Sequence, residues 1–115
     1  MVDVDKGHRG VDVMLLAGTR PEALKLAPLA LALDAHPALR PVLVHSGQHP
    51  GMVEQALEPF GLAVDAWLDV PPRVTGGQAE LVAGLLPALD DVLRRHAPAA
   101  LVVQGDTTTT LAGAL

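Results

Sequence analysis

The chain has 115 residues, half of them hydrophobic, with eight Lys and Arg against thirteen Asp and Glu for a formal charge of −5. That length holds one domain with an apolar core and not two, and an acidic chain without a basic stripe is poorly made for nucleic acid or anionic lipid. One Trp, one Phe and no Tyr leave no aromatic stacking platform, and the absence of Cys excludes disulfides, thiolate metal sites and a Cys nucleophile.

Residues 1–10 read as a flexible leader, followed by a partial Rossmann-like domain over 11–115. The leader lacks the charged-then-apolar pattern of a signal peptide, and no apolar run reaches membrane-spanning length, so a cytoplasmic protein is expected. Val11–Ala17 is a nearly continuous apolar run that predicts a strand buried on both faces. After Gly18, the run Thr19-Arg20-Pro21-Glu22 fits a capping box, with a helix to about Ala35. Its many leucines and alanines leave little polar face, which predicts a largely covered helix, bent at Pro28.

Pro41–His45 predicts a second strand, and the loop Ser46–Gly51 leads to a helix over 52–60 closed by Gly61. A weak strand is expected near 66–70. Leu81, Leu85, Leu89, Val92 and Leu93 recur at helical spacing between Gln78 and His96, and Pro98 breaks that helix. Ala99–Val103 is another buried-type strand, and a helix starts at Thr107. Alternating strands and helices predict an α/β fold, a Rossmann-like parallel sheet with helices on both faces. In the strand order 3-2-1-4, the last strand lies beside the first with its other edge bare. The final nine residues, about 13 Å if helical, end on an apolar run, so the natural chain is expected to continue past Leu115.

Ligands of such sheets sit beyond the carboxyl ends of the strands, where neighbouring connections diverge. That places Gly18–Glu22 and Gly105–Thr110 on one cleft, with two helix N-termini offering N–H groups to an anion such as a diphosphate. The residues carry plainer readings too. Thr19 and Glu22 are accounted for by capping, Lys25 by a helix-surface pair with Glu22, and Asp106 by an N-cap role. Arg20 is outside the logic of a cap and suits a diphosphate, or is simply solvated. Four successive threonines, Thr107–Thr110, start a helix badly unless their hydroxyls line a polar pocket or pack on the sheet. His49 lies on a loop at the same carboxyl edge, where most histidines are only solvated or hydrogen-bonded. No metal-ligand spacing, dinucleotide fingerprint or P-loop is present, so no metal or cofactor is expected.

Three stretches together resemble the bacterial non-hydrolysing UDP-N-acetylglucosamine 2-epimerases: 18–29 (GTRPEALKLAPL), Gln48-His49 with Met52, and 103–109 (VQGDTTT). They fall in the family's order and at compatible spacing, and hydrolysing relatives resemble the first block less well. The resemblance implies the first part of the N-terminal domain of a GT-B-type fold. It also implies a homodimer as full-length protein, and interconversion of UDP-GlcNAc and UDP-ManNAc by elimination and re-addition of UDP, without a cofactor. By motif position Arg20 would contact the diphosphate and Lys25 would assist it. Asp106 would be the active-site carboxylate, with Thr107 on the cleft and Gln48 and His49 lining it or a neighbouring regulatory site. Pro50-Gly51 and the loop 72–77 depart from the pattern of members activated by their own substrate, which puts such regulation in doubt. The chain by itself is expected to be inactive. Alternatives are a GT-B glycosyltransferase acting on a UDP-sugar, against which the first block argues, and a non-enzymatic nucleotide- or phosphate-binding module.

Overall fold

Val11–Ala17 forms β1 in the computed structural model, in which residues 10–47 and 51–115 are described. The leader expected over 1–10 falls outside the described residues apart from Gly10. α1 (Arg20–Ala35) begins as the sequence demands: Thr19 has extended backbone, and both halves of the capping box form with Glu22. β2 (Leu39–His45) starts two residues before the expected strand, because Leu39 and Arg40 already pair with Val11 and Asp12. The Arg40 guanidinium and the Asp12 carboxylate, 2.6 Å apart, reinforce that register.

α2 is Met52–Leu57, and the expected helix through Phe60 tightens into a 3-10 turn over Glu58–Phe60. Pro59 lies inside that turn and has no N–H to continue an α-helix. Gly61 closes it at φ 71°, a left-handed conformation that glycine adopts without a Cβ penalty. β3 is only Ala66–Trp67, shorter than the expected 66–70, and is steadied by Asp65, whose amide and carboxylate both bond Leu43.

α3 (Gln78–His96) is amphipathic as its spacing predicts. Leu81, Leu85, Leu89 and Val92 are buried, while the Asp90–Arg94 and Asp91–Arg95 pairs lie outside. It ends at Ala97 in left-handed conformation, just before Pro98. β4 (Ala100–Val102) and α4 (Thr108–Ala114) complete the described chain.

All pairings are parallel, as expected from the alternation, and the strand order β3-β2-β1-β4 is that of one half of a doubly wound sheet. Side-chain alternation along β1 splits the core in two. Leu15 and Ala17 meet α1 and α2 on one face, and Met14 and Leu16 meet α3 and α4 on the other. Each fully buried leucine there contributes about 1.5–3 kcal/mol.

Two expectations need correction. α1 is covered on one side only: Ala23, Leu26, Ala27, Ala30 and Leu33 are buried, while Leu24 and Leu31 remain 39% and 42% exposed. A helix lying on a sheet buries one stripe, and no second layer covers α1 among the described residues. β4 is likewise half-exposed rather than buried, because β1 is its single neighbour among those residues.

Candidate functional site

β1 and β4 are adjacent, and their following helices leave toward opposite faces of the sheet. Their carboxyl ends therefore form the switch point, and a cleft of about 360 Å³ lies there. It is lined by Thr19, Pro21, Glu22 and Lys25 from one turn and by Gln104, Gly105, Asp106 and Thr107 from the other. Lys25, Asp106 and Thr107 are thus brought together. Arg20, the first residue of α1, is exposed and is not among the residues lining the cleft. Gln48 and His49 lie outside the described residues.

The cap of α4 is Thr107 rather than Asp106. Thr107 has extended backbone and its hydroxyl accepts the Thr110 amide, which leaves Asp106 exposed at the cleft. Either residue type caps a helix, and the backbone of the turn decides which one does. Thr109, also from the threonine run, is buried and its hydroxyl donates to the Ser46 hydroxyl at 3.0 Å, tying α4 to the end of β2. Thr108 donates to the Gln78 side chain at the start of α3. The threonines are therefore packed and bonded, which offsets their poor helix propensity.

Glu22 is the residue that sequence reasoning left as a cap. It is only 3% exposed. Its Oε1 accepts the Gly18 amide at 2.8 Å and the Thr19 amide at 3.2 Å, and its Oε2 accepts the Thr107 hydroxyl, 85 positions away. Capping explains the first two bonds; no local signal announces the third. Two consequences follow. Glu22 faces inward and is not half of a surface pair with Lys25. The Gly18 and Thr19 amides are already engaged by a carboxylate, so that helix start offers fewer donors to an anion than expected, and cationic side chains must carry more of the charge.

His45, read from the sequence as a strand residue, ends β2 fully buried, with Nδ1 3.7 Å from the Glu54 carboxylate. Glu54 is held below the ordinary carboxylate range, first by its own amide, and also by the Trp67 indole N–H and His45 against the opposing effect of burial. A smaller cleft of about 190 Å³ lies beside Ser46 and Gly47, with Arg73 and the proline pair Pro71-Pro72 on its wall. Among the described residues no group of three or more His, Asp or Glu side chains could hold a metal ion, and no helix is long and apolar enough to cross a membrane.

Residues 31–115 match the sequence profile described as UDP-N-acetylglucosamine 2-epimerase. The chain belongs to that family. The UDP-N-acetylglucosamine 2-epimerase of Bacillus subtilis is 39% identical over 104 residues, covering 90% of this chain and 27% of that protein. Among solved structures, the Neisseria meningitidis UDP-GlcNAc 2-epimerase bound to UDP-GlcNAc superposes with a TM-score of 0.82 at 34% identity, covering 89% of this chain and 28% of that one. The Methanocaldococcus jannaschii UDP-GlcNAc 2-epimerase in complex with UDP-GlcNAc and UDP gives 0.77 at 32% identity, covering 90% and 28%. The epimerase-family fold is therefore shared across nearly all of this chain, which spans about a quarter of the length of those relatives.

Proposed function

We propose that the natural protein carrying this chain is a non-hydrolysing UDP-GlcNAc 2-epimerase, a cytoplasmic homodimer that interconverts UDP-GlcNAc and UDP-ManNAc. The observation that carries this reading is the switch-point cleft, where Lys25 of the first block and Asp106 and Thr107 of the third line one cavity. In this reading the chain is the opening part of the N-terminal domain, and the sugar nucleotide enters with its diphosphate toward Arg20 and Lys25.

Loss of the C2 proton with expulsion of UDP builds charge on the leaving phosphates, which fixed cations stabilise. Asp106 is the carboxylate that handles a proton or orients the group that does. Re-addition of UDP to C1 of the 2-acetamidoglucal intermediate, with a proton delivered to the opposite face of C2, needs a second acid–base group, because one carboxylate cannot serve both faces of C2. That group is not assigned to the described residues, so the 115-residue chain alone is expected to show no turnover. Thr107 borders the sugar nucleotide, and Gln48 and His49 extend the same rim or a neighbouring regulatory site.

The test is incubation of the natural full-length protein with UDP-GlcNAc in deuterated water, followed by NMR. Formation of UDP-ManNAc with deuterium at C2 in both sugars supports the reading. Transfer of GlcNAc to an added acceptor without C2 exchange would replace it with a glycosyltransferase. Binding of UDP with neither reaction would replace it with a binding module.

A further inference from the structure

Glu22 is committed on both oxygens, and the two oxygens serve different parts of the fold. Oε1 holds the Gly18 and Thr19 amides, which fixes the carboxylate to the end of β1 and the start of α1. Oε2 accepts the Thr107 hydroxyl and lies 3.4 Å from that of Thr110. The Thr110 hydroxyl has one hydrogen and donates it to the Gln104 carbonyl at 2.9 Å, so Thr107 is the effective partner.

Thr108, Thr109 and Thr110 hold the same turn to Gln78, Ser46 and the Gln104 carbonyl, whereas the bond to Glu22 joins it to the start of α1. β4 pairs with β1 at three residues, and α4 is a short helix seated on the sheet. Between them Gly105 turns at φ 102°, and a Cβ there would stand 3.6 Å from Glu22 Cγ, so nothing separates the backbone of the turn from the glutamate. We propose that Glu22 is a positioning residue of the cleft: through Thr107 it sets where Asp106 stands relative to Lys25 and Arg20. The proposal rests on the reading of the cleft as the sugar-nucleotide site.

The chemistry distinguishes a carboxylate from an amide of the same shape. A glutamine could still accept the Gly18 and Thr19 amides through its oxygen. Its NH2 group would then donate to the remaining lone pair of Thr107 Oγ1, and the Thr107 hydrogen would turn to Thr110 Oγ1, 3.3 Å away. Glu22→Gln therefore keeps the cap of α1 and replaces a charge-assisted tie to the second turn with a weaker, reversed one. Arg20 and Lys25 stay in place on α1, while Asp106 is held less firmly. Misplacing a reacting group by an ångström costs up to about 100-fold in rate, so the loss should fall on kcat and not on substrate binding.

The experiment is steady-state kinetics of the natural full-length protein and its Glu22→Gln, Thr107→Val and doubly substituted variants with UDP-GlcNAc. The expected result is a fall in kcat of about tenfold or more in Glu22→Gln with KM changed less than about threefold. The double variant should be no worse than the poorer single one, since both act on the same bond. A Glu22→Gln enzyme with kcat within twofold of the parent, or losses that add in full, would overturn the proposal. If the parent does not equilibrate UDP-GlcNAc at all, the functional reading fails, and amide exchange then decides the structural claim. Faster exchange confined to 105–107 in Glu22→Gln upholds the tie, and unchanged exchange there sinks it.

Discussion

Two glutamates occupy the same position in two helices and do different things. Glu22 and Glu80 are each the third residue of their helix, and each reaches back to amides that precede it. Glu80 gathers the Val74 and Thr75 amides at 2.8 Å, the Gly76 amide at 3.1 Å and the Thr75 hydroxyl at 2.9 Å. It does so in solvent, and every partner is within six residues. Glu22 does so under cover and adds a partner from another helix. The local rule is identical, an anion supplied to unsatisfied donors at a helix start. Burial and one distant hydroxyl convert it from a loop fastener into a link between two halves of a cleft.

The sharpest way to break the comparison is to remove both carboxylates in turn. Glu22→Ala strips a buried site of its acceptor, leaving the Gly18 and Thr19 amides and the Thr107 hydroxyl without it. That should cost about 2–4 kcal/mol of stability, read from urea unfolding. Glu80→Ala exposes its donors to water that replaces the carboxylate, and its unfolding midpoint should stay close to that of the parent. Equal losses in the two variants would mean that the tie across the cleft contributes nothing.

The contrast also marks how far the sequence could be read. The capping box at Thr19-Arg20-Pro21-Glu22, the apolar strand 11–17 and the helical spacing of 78–96 depend on neighbours within a turn or two, and all three formed as written. So did the parallel pairing, which follows from alternation, whereas alternation alone does not choose the order β3-β2-β1-β4. α1 misled because leucine and alanine occupy nearly every position, so its sequence has no phase to say which stripe is covered. β4 misled because an apolar run looks the same at the edge of a sheet as in its middle. The inward turn of Glu22 was illegible for a third reason, because it depends on a contact across 85 positions that no periodicity encodes. The cap at Thr107 is local, but Asp106 and Thr107 are both capping residue types and the backbone of the turn chose between them. Asp106 and Thr107 were placed at the cleft from topology and Lys25 by the motif resemblance, whereas His49 and Gln48 fall outside the described residues.

A second test leaves both carboxylates untouched and disturbs the seat of the helix that carries Thr107. Gly113 lies where α4 comes closest to the sheet. A Cβ there would stand 2.5 Å from Val103 Cγ1 and 3.0 Å from Leu16 Cδ2. Both neighbours are short, packed side chains with little room to yield, so Gly113→Ala should lift α4. The expected cost is about 1–3 kcal/mol in unfolding free energy. Lifting α4 should also loosen the Thr107–Glu22 bond, seen as faster exchange of the Gly18 and Thr19 amides. The Val74–Gly76 amides held by Glu80 should not respond. A response at both loops would indicate general loosening and erase the distinction between a local and a long-range cap.

The smallest effect belongs to Glu80 and is read best through pH. The Val74 amide, with the Thr75 and Gly76 groups behind it, lowers its pKa from 4.5 to about 2 against the opposing effect of desolvation. A depressed folded value means that the charged form is the one the loop holds. The stabilisation is therefore complete above about 4.5 and fades as pH falls through about 2. The amide resonances of 74–76 should titrate with a midpoint near 2, and a midpoint at the ordinary carboxylate value would mean the cap is not formed in solution. Because acid loads every other carboxylate as well, Glu80→Gln at neutral pH isolates the effect. It should speed exchange of those three amides alone, leaving the Gly18 and Thr19 amides as slow as before, since the partners of Glu80 among the described residues all lie in its own loop.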